Sequence, residues 1–303
     1  MTLSAPVASP LRTVAKPHTR RIRGPAWLEV LLRTRLAPLG LAIVVLMVIV
    51  AATADALTPY DPNELHYTSI LKSPGAEFPL GTDDLGRDVY SRIAYGTRIS
   101  LEVGVIAVSI GVFVGTLIGL AAGYYGGWVD DVLMRTMDAV RAFPALVLAL
   151  SINAVLGPGI GNVMIAVGVV SVPTFARLAH GQVLSVRERE YVTAARVSGV
   201  GAWRMMLVHI LPNISSPIIV QASLGAAFAI LAEAGLSFLG LGVRPPTPSW
   251  GSLLRTGYQY LNVAPWLALS PGVAIFLAVL AFNLLGDGLR QALDPRLKQR
   301  GVA

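Results

Sequence analysis

A chain of 303 residues that is 54% hydrophobic and 14% charged carries roughly half the charge of a soluble domain, where about 25% is usual. The absence of cysteine excludes disulfide staples, thiolate catalysis, iron–sulfur clusters and cysteine zinc sites. The formal net charge of +7 suits either nucleic acid or an anionic membrane surface, and the placement of the basic residues decides between them.

Residues 1–35 hold seven basic residues, Arg12, Lys16, Arg20, Arg21, Arg23, Arg33 and Arg35, against the single acid Glu29. Residues 1–26, rich in Pro, Ala, Thr and Arg, have no apolar period and predict a disordered tail drawn to anionic headgroups. The first apolar run begins only at residue 36, later than a cleavable signal peptide would place it. A membrane-spanning helix needs about 20 largely apolar residues to cross about 30 Å of hydrocarbon. Uncharged runs of 19, 27, 35, 20 and 31 residues follow Arg35, Glu102, Arg141, Pro212 and Arg255. The 35-residue run is interrupted by Gly157-Pro158-Gly159, which no helix crosses, and so reads as a hairpin of two. The prediction is an all-α integral membrane protein with six spans, at 36–57, 98–124, 131–156, 160–178, 213–239 and 268–288.

The basic residues then set the topology. By the positive-inside rule the N-terminal segment 1–35 stays in the cytoplasm. Six spans return the C-terminal tail 290–303 to the same side, where Arg290, Arg296, Lys298 and Arg300 agree. The connection 58–97 carries six acids against Lys72, Arg87 and Arg92 and is expected outside. Positive charge thus tracks membrane orientation, and nucleic-acid binding is excluded. Residues 98–289 form a five-helix core, interrupted by a polar connection at 179–212.

Within the second span, Gly111, Gly115, Gly119 and Gly123 recur one turn apart on one face. In lipid such a face permits close backbone approach, either as static packing within the chain or as a sliding surface. Glu102, Asp138, Arg141, Glu233 and Asp287 lie in or near spans, where charge is costly and faces protein or water. Asp138 and Arg141 are spaced to pair on one helix face. The histidines His18, His66, His180 and His209 show no metal spacing, so no metal site is expected. No phosphate-cradling Gly-x-x-x-x-Gly-Lys-Ser/Thr occurs, and ATP is not expected to bind by that route.

The 179–212 connection is out of place for a mere linker. Glu190-Tyr191-Val192-Thr193-Ala194-Ala195-Arg196-Val197-Ser198-Gly199 reads as a short helix with adjacent alanines projecting only methyl groups. Gly199 can turn the chain out of it. Trp203, Met205 and Met206 follow on a second short amphipathic stretch, and Pro212 restarts a helix at the membrane boundary. The pattern predicts a helix–turn–helix presenting small residues to a cytosolic partner.

This segment resembles the cytoplasmic coupling motif of ABC importer permeases, whose consensus is Glu-Ala-Ala, three residues, Gly, nine residues, then Ile-x-Leu-Pro. Ala194, Ala195, Gly199, Leu211 and Pro212 fall on it; Thr193 stands where the consensus has Glu, and His209 where it has Ile. From residue 36 onward the chain resembles the dipeptide, oligopeptide and nickel importer subfamily. Pro79–Asp88 (PLGTDDLGRD), Gly123–Gly127, Glu233–Trp250 and the Asn283–Arg290 and Leu293–Arg296 blocks carry the likeness, and the first and last make it similar to the second permease of the pair. The resemblance implies a type I permease fold, a heterodimer with a homologous permease, two cytosolic ATPases that supply the ATP site, and an extracytoplasmic substrate-binding protein. It implies a non-catalytic membrane subunit with no cofactor of its own and a peptide substrate. Thr193, Ala194, Ala195, Arg196, Gly199, Trp203, Leu211 and Pro212 are then the expected ATPase-coupling residues. Glu233 is a candidate contact for a peptide amino terminus, or else a structural partner for an arginine. A nickel importer shares the architecture. A secondary transporter or channel would call for an ion relay or inverted repeats with matched broken helices; neither is evident, and 190–212 would be left without a purpose.

Overall fold

The computed structural model describes residues 31–32, 34 and 36–293. The expected tail 1–26, together with Arg33, Arg35, Arg296, Lys298 and Arg300, lies outside the described residues. Those described are helical apart from turns and one isolated bridge between Thr82 and Asp88. In chain order the helices are α1 (Ala37–Leu57), α2 (Val89–Tyr125), α3 (Gly127–Arg141), α4 (Ala145–Leu156), α5 (Ile160–Arg187), α6 (Glu190–Val197), α7 (Ala202–Phe238), α8 (Trp250–Gln259) and α9 (Trp266–Leu293). Five of them, α1, α2, α5, α7 and α9, are long and apolar enough to cross a membrane. The count reaches six when α3 and α4 are taken as one span bent by 90°.

Three boundaries differ from the sequence expectation, each for an identifiable reason. The helix expected at 131–156 is instead the bent pair α3–α4. Pro144, which precedes α4, has no N–H to donate and pushes Phe143 away from helical backbone. The charged α3 then packs on α5, where Asp138 pairs with Arg177 instead of with Arg141. The second span starts at Val89 rather than 98 because Asp88 caps it, its Oδ2 accepting from Ser91 N at 2.8 Å and Ser91 Oγ at 2.6 Å. Arg92 and Arg98, the charges that hid this first turn, are both engaged: Arg92 with Asp83 at 3.6 Å and Arg98 with Asp55 of α1 at 2.9 Å. Finally, α7 does not restart at Pro212. It runs from Ala202 through a π turn at Met205–Ile210, with Leu211 N reaching back to Met206 O, which places Pro212 in the first turn of regular α-helix, where its missing N–H costs least.

The centre of the bundle is the α2–α5 contact. Gly111, Gly115, Gly119 and Gly123 are all buried there. A Cβ on Gly115 would lie 2.5 Å from the Val172 carbonyl oxygen, and one on Gly119 2.4 Å from that of Ala176. The glycine face is therefore packed against this chain's own fifth helix, with backbones in near contact. Val103, Leu120, Phe175, Val183 and Ile214 continue this core along α2, α5 and α7.

Two ends of the bundle follow from the ties between helices. At one, Arg187 Nη1 donates to Gly123 O at 2.9 Å, joining the last turns of α5 and α2 beside α6. At the other, Trp250 Nε1 donates to Ile93 O at 3.1 Å and Gly159 N to Gly242 O at 3.1 Å. This second end also holds the 58–88 segment, a tight knot. Phe78 is 1% exposed under the rings of Tyr60 and His66. Asp83 Oδ1 accepts from Leu85 N and Arg87 N at 2.9 Å each, and Oδ2 from Arg87 Nε at 2.7 Å. Burial, with the charge of Asp83 beside it, raises the Asp84 carboxyl above the usual carboxylate range.

Candidate functional site

The protrusion between α5 and α7 is built on a buried base. Val192 of α6 and Met205 are 0% exposed, Met206 is 2% and Ile210 0%; all four join the main core cluster with Val183, Val186 and Tyr124. Ala195, three residues after Val192, shares its face while Ala194 is exposed on the other, so α6 lies along the bundle with one face held and the other free. Glu190 in its first turn and Arg196 in its last suit the helix dipole.

α6 ends in a Schellman turn. Val200 N donates to Ala195 O at 3.2 Å, Gly199 N to Arg196 O at 3.0 Å, and Ser198 Oγ to Ala194 O at 2.9 Å. Gly199 holds φ +77°, a left-handed conformation that a side chain resists, yet a Cβ there would meet nothing within 4 Å. Glycine is thus required by the turn and not by this chain's own packing. Ala195 and Val200 pack together against the core.

The sequence-expected coupling residues gather here unevenly. Thr193, Ala194, Arg196, Gly199 and Trp203 are exposed, Trp203 by 68%. Ala195 is half-buried, Leu211 half-buried and Pro212 exposed on the first turns of α7. Sequence reasoning missed Val197, 84% exposed at the end of a polar helix, and the anchors Val192 and Ile210. Val197 had a signal: an apolar residue on the water-facing side of an amphipathic helix.

The other candidates lie elsewhere. Glu233 is at the opposite end, 0% exposed. Its carboxylate accepts from Ser237 Oγ at 2.6 Å rather than pairing with an arginine. His180 meets Asp130 at 2.9 Å across α5 and α3, and His66 lies 3.2 Å from Gly86 O. Among the described residues no group of three or more metal-ligating side chains is gathered.

Residues 115–299 match the family described as binding-protein-dependent transport system inner membrane component, and residues 26–74 match the N-terminal TM domain of oligopeptide transport permease C. A dipeptide transport system permease protein of Alkalihalophilus pseudofirmus is 44% identical over 97% of each chain. A glutathione transport system permease protein of Pectobacterium atrosepticum is 44% identical over 95% of this chain and 97% of its own. A di/tripeptide transport system permease protein of Pseudomonas aeruginosa is 46% identical over 86% of this chain and 88% of its own. The matched region takes in the α2–α5 core and the α6 protrusion. On that extent of likeness the chain belongs to the family of binding-protein-dependent transport system inner membrane components.

Proposed function

We propose that this chain is a permease subunit of an ATP-binding cassette importer for di- and oligopeptides. It forms the path with a homologous permease, receives substrate from an extracytoplasmic binding protein, and is driven by two cytosolic ATPases that hold the ATP. The chain itself is non-catalytic and carries no cofactor. The relatives named for dipeptide, di/tripeptide and glutathione transport support a peptide rather than nickel as cargo. In this reading α3 and α4 together make the third of six spans, and the α6 end faces the cytoplasm. Arg187, Arg189, Arg196 and Arg204 lie at that end, and the acids of the 58–88 segment at the other, as the positive-inside rule requires.

The observation that carries the proposal is the turn at Gly199: a left-handed glycine with 4 Å of empty space around it, on a base whose apolar anchors are fully buried. Such an element is stiff from below and vacant above. Seated in an ATPase groove, it converts the closing of two ATPases into tilting of α5 and α7, which continue directly from it. Thr193, Ala194, Ala195, Arg196, Gly199 and Trp203 form the docking surface, and Leu211 and Pro212 pass the motion to α7. Glu233, a candidate contact for a peptide amino terminus, belongs to the outer half of the path.

The test is uptake by the complete complex reconstituted in vesicles, with labelled dipeptide and Ni²⁺ offered separately. Dipeptide should accumulate only with ATP, the ATPases and the binding protein together. Accumulation without nucleotide, or of Ni²⁺ alone, would reject the assignment.

A further inference from the structure

Many hydroxyls and amides on the apolar helices bond to a backbone carbonyl. Ser109 donates to Val105 O at 2.7 Å, Ser151 to Val147 O at 2.9 Å, Ser171 to Val167 O at 2.8 Å and Asn283 to Val279 O at 2.8 Å. Ser223 reaches across to Phe282 O of α9 at 2.9 Å. Thr174 of α5 and Gln221 of α7 make no side-chain hydrogen bond among the described residues, as is true of the buried hydroxyls of Ser100 and Thr116, but only Thr174 and Gln221 of these four share a hollow. Both sit about midway along their helices, and both line one hollow of about 320 Å³ together with Ala145, Gly225 and Phe228. Thr174 is exposed and Gln221 half-buried.

An unpartnered donor or acceptor at hydrocarbon depth is costly, so two that converge on one hollow call for water or a polar guest. The neighbouring backbone adds to this demand. Pro173 lies inside α5 and has no N–H to give the Val169 carbonyl one turn back, which leaves an acceptor on the same stretch as Thr174. The volume lies within the range of small-molecule pockets. Gly225 and Ala145 keep the hollow open, while Phe228 forms one wall and is shared with an apolar hollow of about 540 Å³ lined by Leu146, Leu231 and Phe238.

We propose that the Thr174–Gln221 hollow is a substrate station on the translocation path, where the main-chain amide of a peptide in transit is held. The carboxamide of Gln221 offers both donor and acceptor, as a peptide unit does, and Thr174 adds a hydroxyl that serves either way. No charge lines the hollow, which suits a neutral amide and gives a metal cation no ligand. Recognition of the main chain alone passes peptides of differing side chains, against an apolar wall at Phe228. The station rests on the peptide-importer reading above and specifies where in this subunit the cargo is touched.

The chain has no cysteine, so Thr174→Cys or Gln221→Cys supplies the one thiol on this subunit. Each variant, in the assembled complex in membranes, is treated with a charged methanethiosulfonate, and modification of this chain is read by mass. Both should react, and dipeptide with binding protein and nucleotide should slow the reaction about tenfold. Val45→Cys on α1, at a position 46% exposed, should stay inert in lipid. Thiols at 174 and 221 as inert as that at 45, because lipid or the partner permease covers them, would overturn the proposal, and so would labelling that dipeptide leaves unaltered. Independently, Gln221→Leu with Thr174→Val should lower dipeptide uptake about tenfold while assembly and ATP hydrolysis persist; undiminished uptake would also overturn it. A wild-type complex that takes up no dipeptide would instead reject the importer reading, which keeps the two failures apart.

Discussion

Glycines at the two ends of the bundle do opposite work. In the 58–88 knot, a Cβ on Gly86 would lie 2.2 Å from the His66 carbonyl oxygen, and one on Gly81 2.6 Å from that of Lys72. Both hold left-handed backbone, at φ +77° and +75°. At Gly199 the backbone is the same, φ +77°, but the space is empty. The first end closes on itself: Asp83, Asp88 and Phe78 are buried and bonded or packed within this one chain. The second end buries only its base and leaves its crest bare. Empty space beside a left-handed glycine is shared by the turns at Gly127 and Gly157; what sets Gly199 apart is that its turn crowns a helix whose base is fully buried.

The largest effect expected from this contrast follows Gly86→Ala. The added methyl must both strain a left-handed backbone and displace the His66 carbonyl, which together cost about 4 kcal/mol. A membrane protein of ordinary stability does not tolerate that loss well. The variant should fail to accumulate in membranes as a monodisperse species on detergent extraction and size exclusion. Normal accumulation would mean the 58–88 knot is not a self-sufficient clamp, and the comparison would lose one of its sides.

At the other end, Gly199→Asn separates turn from docking. Asparagine tolerates left-handed backbone better than other side chains, and no atom of this chain lies within 4 Å to obstruct it. Membrane abundance and thermal stability should therefore shift by less than about 0.5 kcal/mol. A side chain thrust into a fitted groove, in contrast, should weaken ATPase co-purification and ATP-driven uptake about tenfold or more. A stable variant that transports normally would show that the crest does not touch the motor.

These two ends were not equally legible in the sequence. The crest was in its turn, because Ala194-Ala195 and Gly199 carry a spacing tied to backbone geometry, small residues followed by a left-handed turn, whereas the helix restart expected at Pro212 is instead a π turn inside a continuous α7. Its anchors were less so, since Val192 and Ile210 are ordinary apolar residues whose burial depends on which way α6 rolls. The knot was misjudged. Arg92 and Arg98 read as the edge of a membrane run, yet a buried ion pair with Asp83 and an exposed one with Asp55 let α2 extend through both, and pairing across 43 residues, as for Arg98 and Asp55, leaves no local trace. The α3–α4 bend had a visible cause in Pro144, but the polar α3 docked on α5 through Asp138 and Arg177 is a tertiary outcome. Gly111, Gly115, Gly119 and Gly123 announced a packing face without saying against what; α5 supplies the answer through Phe175, Ala176 and Ala179.

The smallest effect tests the crest from within. Thr193 is exposed on α6, and its branched side chain costs helix propensity relative to glutamate. Thr193→Glu would place a carboxylate near the helix N-terminus and three residues before Arg196, each worth a few tenths of a kcal/mol. The sum, about 0.5 kcal/mol, should raise amide hydrogen-exchange protection within α6 about twofold. Membrane abundance should not change, because position 193 contributes nothing to the buried base. The ATPase groove matched to this chain meets a threonine there, so co-purification should stay within about twofold of the parent. A loss well beyond that would place an acidic wall opposite position 193 and make charge part of how this subunit selects its motor. Protection that fails to rise would mean that α6 draws its order from the anchors at Val192, Met205 and Met206 rather than from its own helix propensity.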